Sequence, residues 1–190
     1  MTLSADQVLA LIPQQRPFRF IDRLVSLGDS GAVGEYTFRA DESFYAGHFP
    51  GDPVTPGVIL IETMCQTGLV ALGIYLLGLE LPKDEVAKTV TLFTDCQVDF
   101  ERIVRPGDTV RVEAEKVFWR RRKLKSNVVL TLANEILVGG RSSRLYRKLV
   151  ADGEIASEVR ASITPFRDPG LYDFFVGARP GKSGVKVLRM

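Results

Sequence analysis

Histidine occurs once in these 190 residues, at position 48, and cysteine twice, at positions 65 and 96. A single histidine excludes the paired-histidine zinc motif of metallopeptidases, and two distant cysteines outside any C-x-x-C pattern exclude a zinc ribbon or a disulfide framework. Both cysteines read as small buried apolar residues. Charge of one sign is lacking as well: 25 Lys and Arg against 23 Asp and Glu leave a net charge of +2, too small an excess for a nucleic-acid-binding chain. The opening Met1-Thr2-Leu3-Ser4-Ala5-Asp6 has neither the basic nor the apolar region of a signal peptide, which predicts a cytoplasmic address. No internal repeat is present.

What the chain does have is a core-forming composition, 45% hydrophobic and 25% charged, on a length that suits one domain. Its longest apolar run, Val58 to Leu79, would cross a bilayer on length alone. Glu62 and Gln66 would then lie in hydrocarbon with no basic cluster flanking either end, so the run reads as the buried central helix of a globular fold, with no membrane span. Ser4 and Gln7 have capping-box spacing for a short first helix that Pro13 ends. A hairpin turns at Asp29-Ser30-Gly31 before the alternating strand Val33 to Phe38. Strands are predicted again over Thr89 to Val104, Thr109 to Trp119, Asn127 to Leu132 and Glu154 to Ile163, which makes the class α+β with an antiparallel sheet covering one helix. Residues 1–165 form this single domain. Residues 134–150 read as an insertion at the tip of a hairpin joining the 127–132 and 154–163 strands, and 166–190 as a tail, docked in part or disordered.

The stretch from Ala46 to Gly57 holds three Gly and three Pro around the one histidine, so it reads as an ordered irregular loop rather than helix or central strand. A proline-stiffened loop loses less entropy on folding and so can hold His48 in one place. Glu62 sits on the apolar helix, where an ionised carboxylate costs several kcal/mol unless it is paired or protonated, so its presence demands a partner or a task. Gln66, one turn on, shares its face and can orient it. A neutral imidazole that accepts a proton and a protonated carboxyl that donates one suit removal of a proton from carbon and of hydroxide from its neighbour. Such a carbon acid needs an activating carbonyl, and backbone N–H groups around Gly57, near a helix N-terminus, can bind the developing enolate.

The string Phe44-x-x-Gly47-His48-Phe49-Pro50-Gly51-x-Pro53-x-x-Pro56-Gly57-Val58-x-x-x-Glu62-x-x-x-Gln66 closely resembles the signature of the hotdog-fold β-hydroxyacyl-acyl carrier protein dehydratases. Arg16-Pro17-Phe18, Asp22-Arg23 and the Pro106-Gly107-Asp108 turn have counterparts in that family too. The resemblance implies a long central helix wrapped by an antiparallel sheet, two protomers joined as a double hotdog, and composite sites in which His48 of one chain faces Glu62 of the other. It implies that the Gly57 amide binds the thioester carbonyl, that Gln66 orients the acid, and that Phe49 and Val58 border the acyl chain. No metal or cofactor is implied, because the substrate arrives on the phosphopantetheine of an acidic acyl carrier protein. Glutamate at position 62 resembles the branch that dehydrates without isomerising, while Gly51-Asp52-Pro53-Val54 resembles the branch that also isomerises, so isomerase activity stays open. The chain departs from the pattern at Gln14-Gln15, Thr63 and Cys65, and in its insertion and tail.

The local basic run Arg120, Arg121, Arg122, Lys123 and Lys125 is then a candidate dock for the acidic carrier. Two other readings share the substrate class: a hotdog thioesterase, separated by release of free thiol, and a non-catalytic acyl-binding subunit, separated by binding without turnover. A dimer and a trimer of dimers both remain open.

Overall fold

Ser4 opens the first helix, α1 (Ala5–Leu11), through the box its spacing predicts: its hydroxyl accepts from the Gln7 N–H at 3.2 Å and the Gln7 side chain accepts from the Ser4 N–H at 2.9 Å. Val8 and Ile12, both fully buried, carry this helix onto Ile21, Ile74 and Leu77. The computed structural model describes residues 2–133, together with the backbone of 156–163 and 172–178. The chain divides into two compact units, Met1–Thr131 and Leu132–Met190, and every candidate site residue belongs to the first.

In that first unit, β1 (Arg23–Gly28), β2 (Gly31–Thr37), β3 (Thr109–Arg120) and β4 (Lys123–Leu132) form a sheet in sequence order. β2 runs antiparallel to both neighbours, with Glu35 opposite Arg23 on one side and Arg111 on the other. Alternation fixes the faces: Ala32, Gly34, Tyr36 and Phe38 point inward beside Val110, Val112 and Ala114. Turns are pinned by the short motifs flanking the sheet. The Asp22 carboxylate accepts from the Thr37 N–H at 2.9 Å and from Arg39 at 2.7 Å. In Pro106-Gly107-Asp108, Gly107 takes φ +90, which favours glycine, and the Asp108 carboxyl accepts from the Arg105 N–H at 2.8 Å.

Across the inner face lies the central helix, Gly57–Glu80. Its middle, Gln66–Ala71, is wound as π-helix where it passes closest to the sheet. A Cβ on Gly34 would fall 2.7 Å from Thr67 Oγ1, and one on Gly68 would fall 2.6 Å from Val128 Cγ2, so glycine sets the helix-to-sheet distance at both points. Ser126 donates to the Gly68 carbonyl at 2.9 Å. The helix is long and apolar enough to cross a membrane, but Gln66, Thr67, Val70, Ala71 and Leu72 are buried. A long helix laid in an antiparallel sheet is the α+β hotdog architecture.

Three expectations change. The predicted strand over Thr89 to Val104 is not a strand within the described residues, because no edge of the same sheet reaches it and backbone groups without a partner strand make no ladder. Its far end is tied down by the Thr55 N–H donating to the Val104 carbonyl at 2.8 Å, and Val90, Leu92, Phe93 and Ile103 are exposed. The cysteines are not core residues: Cys65 is half-buried and Cys96, on that open segment, is exposed. Finally, the strand expected near 154–163 is present as β5 (Ala156–Ile163), but among the described residues its antiparallel partner is β6 (Tyr172–Ala178) from the tail rather than β4. The proposed insertion at 134–150 lies outside the described residues.

Candidate active site

The histidine is held by the main chain. A 3-10 turn, Ser43–Ala46, delivers the loop, and the His48 N–H donates back to the Phe44 carbonyl at 3.0 Å. The Val54 N–H donates to the His48 carbonyl at 3.0 Å, and the Val54 carbonyl lies 2.9 Å from His48 Nδ1. A carbonyl can only accept, so Nδ1 carries a proton, and in the neutral ring the lone pair is then on Nε2. The imidazole stacks on Phe49 with centroids 4.1 Å apart, and the peptide bond between them is cis. Behind the loop, Tyr45 and Thr55 share a buried 2.6 Å hydrogen bond. Burial pushes the Tyr45 phenol up to about 12.

The carboxylate is held by side-chain amides instead. Gln66, fully buried, spends both its donors and its acceptor: Nε2 donates to Glu62 Oε1 at 2.8 Å and to the Phe18 carbonyl at 2.7 Å, and its Oε1 accepts from the Phe20 N–H at 2.7 Å. With every group satisfied the amide is fixed, and so is the oxygen it grips. Gln14 approaches the same Glu62 Oε1 with its Nε2 at 3.5 Å. Among the described residues Glu62 Oε2 takes no hydrogen bond, which leaves it free to face a substrate. Glu62 is half-buried rather than enclosed. Beside it, burial first and the Glu62 charge second push the Cys65 thiol up to about 12, so Cys65 stays a neutral thiol.

Gly57 is the first residue of the central helix, so its N–H has no intrahelical acceptor. A Cβ at Gly57 would lie 3.0 Å from the tip of the Phe100 ring, which would have to give by a few tenths of an ångström to admit it. Val58 and Phe49 are exposed at 71% and 56%, available to a ligand rather than packed in the core. The basic run occupies the tip of the β3–β4 hairpin, where Phe118, Arg120, Arg121 and Lys123 line an open depression of about 390 Å³. The structure thus joins Glu62 with Gln66 and His48 with Phe49, but within one chain no hydrogen bond or ion pair joins His48 to Glu62. Sequence reasoning missed Gln14, the Val54 carbonyl and the Tyr45–Thr55 brace; only Gln14 left a signal, as a departure from the family's pattern.

The fold that carries the carbonyl-held His48, the amide-held Glu62 and the Gly57 N–H at a helix N-terminus is that of the hotdog proteins. Residues 12–142 match the family model of the FabA-like domain, and the chain belongs to that family. It is 40% identical over 136 residues to the 3-hydroxyacyl-acyl-carrier-protein dehydratase FabZ of Chloroflexus aggregans, covering 70% of this chain and 89% of the relative. The FabZ of Bacillus pumilus is 35% identical over 135 residues, with the same coverage of 70% and 89%. That of Thermomicrobium roseum is 41% identical over 115 residues, covering 60% of this chain and 72% of its own.

Proposed function

We propose that this chain is a hydro-lyase that removes water from a (3R)-3-hydroxyacyl thioester presented on an acyl carrier protein, giving the trans-2-enoyl thioester. The observation that carries the reading is the complementary preparation of two groups: His48 with its bare nitrogen at Nε2, and Glu62 with Oε1 gripped and Oε2 free. His48 Nε2 takes the proton from C2, and the electrons of that bond become the new double bond. The bond from C3 to its hydroxyl breaks as Glu62 Oε2 gives the oxygen a proton, so water leaves and Glu62 is left as carboxylate. Negative charge that develops on the thioester oxygen is met by the Gly57 N–H.

The two groups belong to different copies of the chain in this reading, with His48 of one protomer facing the partner's Glu62. The segment 90–101 supports it, since among the described residues no strand pairs with it and its exposed Val90, Leu92 and Phe93 suit pairing with a second copy. The basic hairpin tip docks the carrier. Arg121 and Arg122 form the two-residue turn with φ 50 and 59, left-handed values that favour Asn-Gly and that cost a residue with a Cβ about 1–2 kcal/mol each. Neither arginine makes an ion pair among the described residues, so no ion pair there offsets that cost.

The test is a panel of 3-hydroxyacyl thioesters of different chain length, on carrier protein and on coenzyme A, followed for both enoyl thioester and free thiol. Enoyl product without thiol release is expected. Folded protein that forms no enoyl product from any member overturns the reading, as does stoichiometric thiol release.

A further inference from the structure

Gln14 arrives beside Glu62 from the turn after α1, 48 residues away in sequence, and its amide is only half used. Nε2 points at Glu62 Oε1 from 3.5 Å, while its own Oε1 is buried and has no hydrogen-bond partner among the described residues. Gln66, by contrast, has each of its groups engaged within 2.8 Å. A buried acceptor without a donor is destabilising in the resting protein, so the unmatched end of Gln14 is a candidate for a donor that arrives during the reaction.

We propose that Gln14 is a positioning residue for the acid, with its Nε2 drawn onto Glu62 Oε1 as the carboxylate forms and its Oε1 accepting a hydrogen bond from the departing water. The inference rests on the dehydration reading, in which both charge on Glu62 and a new water appear together next to this one amide. A 3.5 Å contact is weak to a neutral carboxyl and shortens to a carboxylate, because an ionised acceptor attracts the donor more strongly. An interaction that is weak before the step and strong during it lowers the barrier rather than the affinity. Gln66 cannot do the same, since it is already saturated and held by the backbone of Phe18 and Phe20.

The balance of the step is unchanged: one proton leaves Glu62 for the hydroxyl oxygen, one water forms, and Gln14 neither gains nor loses a proton. Its two ends meet the two products of that single transfer, the carboxylate and the water.

The experiment compares the wild-type protein with Gln14→Met, which keeps the length and removes both ends, and with Gln14→Glu, which keeps the shape and an acceptor but removes the donor. For Gln14→Met, kcat is expected to fall about 10- to 100-fold, the effect of one hydrogen bond to a group that becomes charged, with KM changed by less than about threefold. Gln14→Glu is expected to fall at least as far, because a second carboxylate opposes charge on Glu62. Thermal melting checks that each variant is folded. A third readout separates positioning from mere structure. With 18O in the substrate hydroxyl, loss of label from recovered substrate, relative to enoyl formation, should rise in Gln14→Met because the departing water is no longer retained. Unchanged kcat in both variants overturns the inference, as does a parallel change of kcat and KM with a lowered melting temperature or an unaltered label ratio. Wild-type protein that forms no enoyl product overturns the dehydration reading and this inference with it, and is told apart from failure at Gln14 by the wild-type control alone.

Discussion

The two halves of the site are built in opposite ways. His48 stands on a Gly/Pro loop and is aligned by backbone groups, chiefly the carbonyl of Val54. Glu62 stands on a regular helix and is aligned by an amide that reaches across to Phe18 and Phe20. A loop has main-chain groups to spare, because it makes no ladder. A helix has spent its own, so a side chain must do the orienting. Alignment by backbone is insensitive to any one side chain, whereas alignment by Gln66 concentrates the work in a single residue.

The sharpest way to break this comparison is to remove the two reacting groups separately. His48→Ala and Glu62→Gln should each lower kcat by about 10²- to 10⁴-fold, the range of a lost general acid or base. When the two inactive variants are mixed under conditions that exchange subunits, activity should return to about a quarter of wild type, since half the dimers are mixed and each holds one intact site. No recovery after verified exchange would place both groups in one chain. Next in size is Gln66→Leu. It strands the buried Phe20 N–H and takes a donor from the part-buried Phe18 carbonyl, at a cost of about 1–3 kcal/mol, read as a lower urea midpoint. A shift under about 0.5 kcal/mol would mean that the acid's half does not depend on that amide.

The smallest effect is expected in the loop half. Tyr45→Phe removes the hydrogen bond to Thr55 and should cost about 1 kcal/mol at neutral pH while leaving the backbone hold on His48 in place. Its sign with pH follows from the raised phenol, at 10.0 ordinarily and about 12 in the fold. The unfolded chain releases this proton first, so Tyr45's contribution is intact below about pH 10 and is lost as pH rises toward 12. Tyr36, raised by burial and by its bond to Glu42, and Cys65 add to the same alkaline decline. Urea midpoints between pH 9 and pH 12 should therefore fall less steeply in Tyr45→Phe than in wild type, and equal slopes would exclude this role for the phenol.

Residue chemistry made part of this legible in advance. A carboxyl on an apolar helix with an amide one turn later could be read from Glu62 and Gln66, because both lie on one element and their spacing is local. Gln14 could not be given a role, since its contact depends on how α1 packs. Alternating apolar residues marked 89–104 as strand-forming, yet a strand also needs an edge to join, and a periodicity carries no information about where that edge is. The β3–β4 turn was hidden for a simpler reason: Arg121-Arg122 has none of the glycine or asparagine that announces a left-handed backbone.

One consequence of the π-wound stretch at Gln66–Ala71 concerns how the chain tolerates change. A wider turn sets the following residues back by roughly 100° relative to an uninterrupted α-helix, about one residue's worth of rotation. The stripe that includes Glu62 and Gln66 and the stripe that includes Leu72 and Leu76 are therefore aligned on the sheet through that offset alone. A saturation scan along the helix would show intolerance recurring with one phase before residue 66 and a shifted phase after residue 71. Removing a single residue between them would let the turn rewind to α-helix and leave the Leu72 stripe on the sheet, whereas removing one after residue 71 would swing that stripe away.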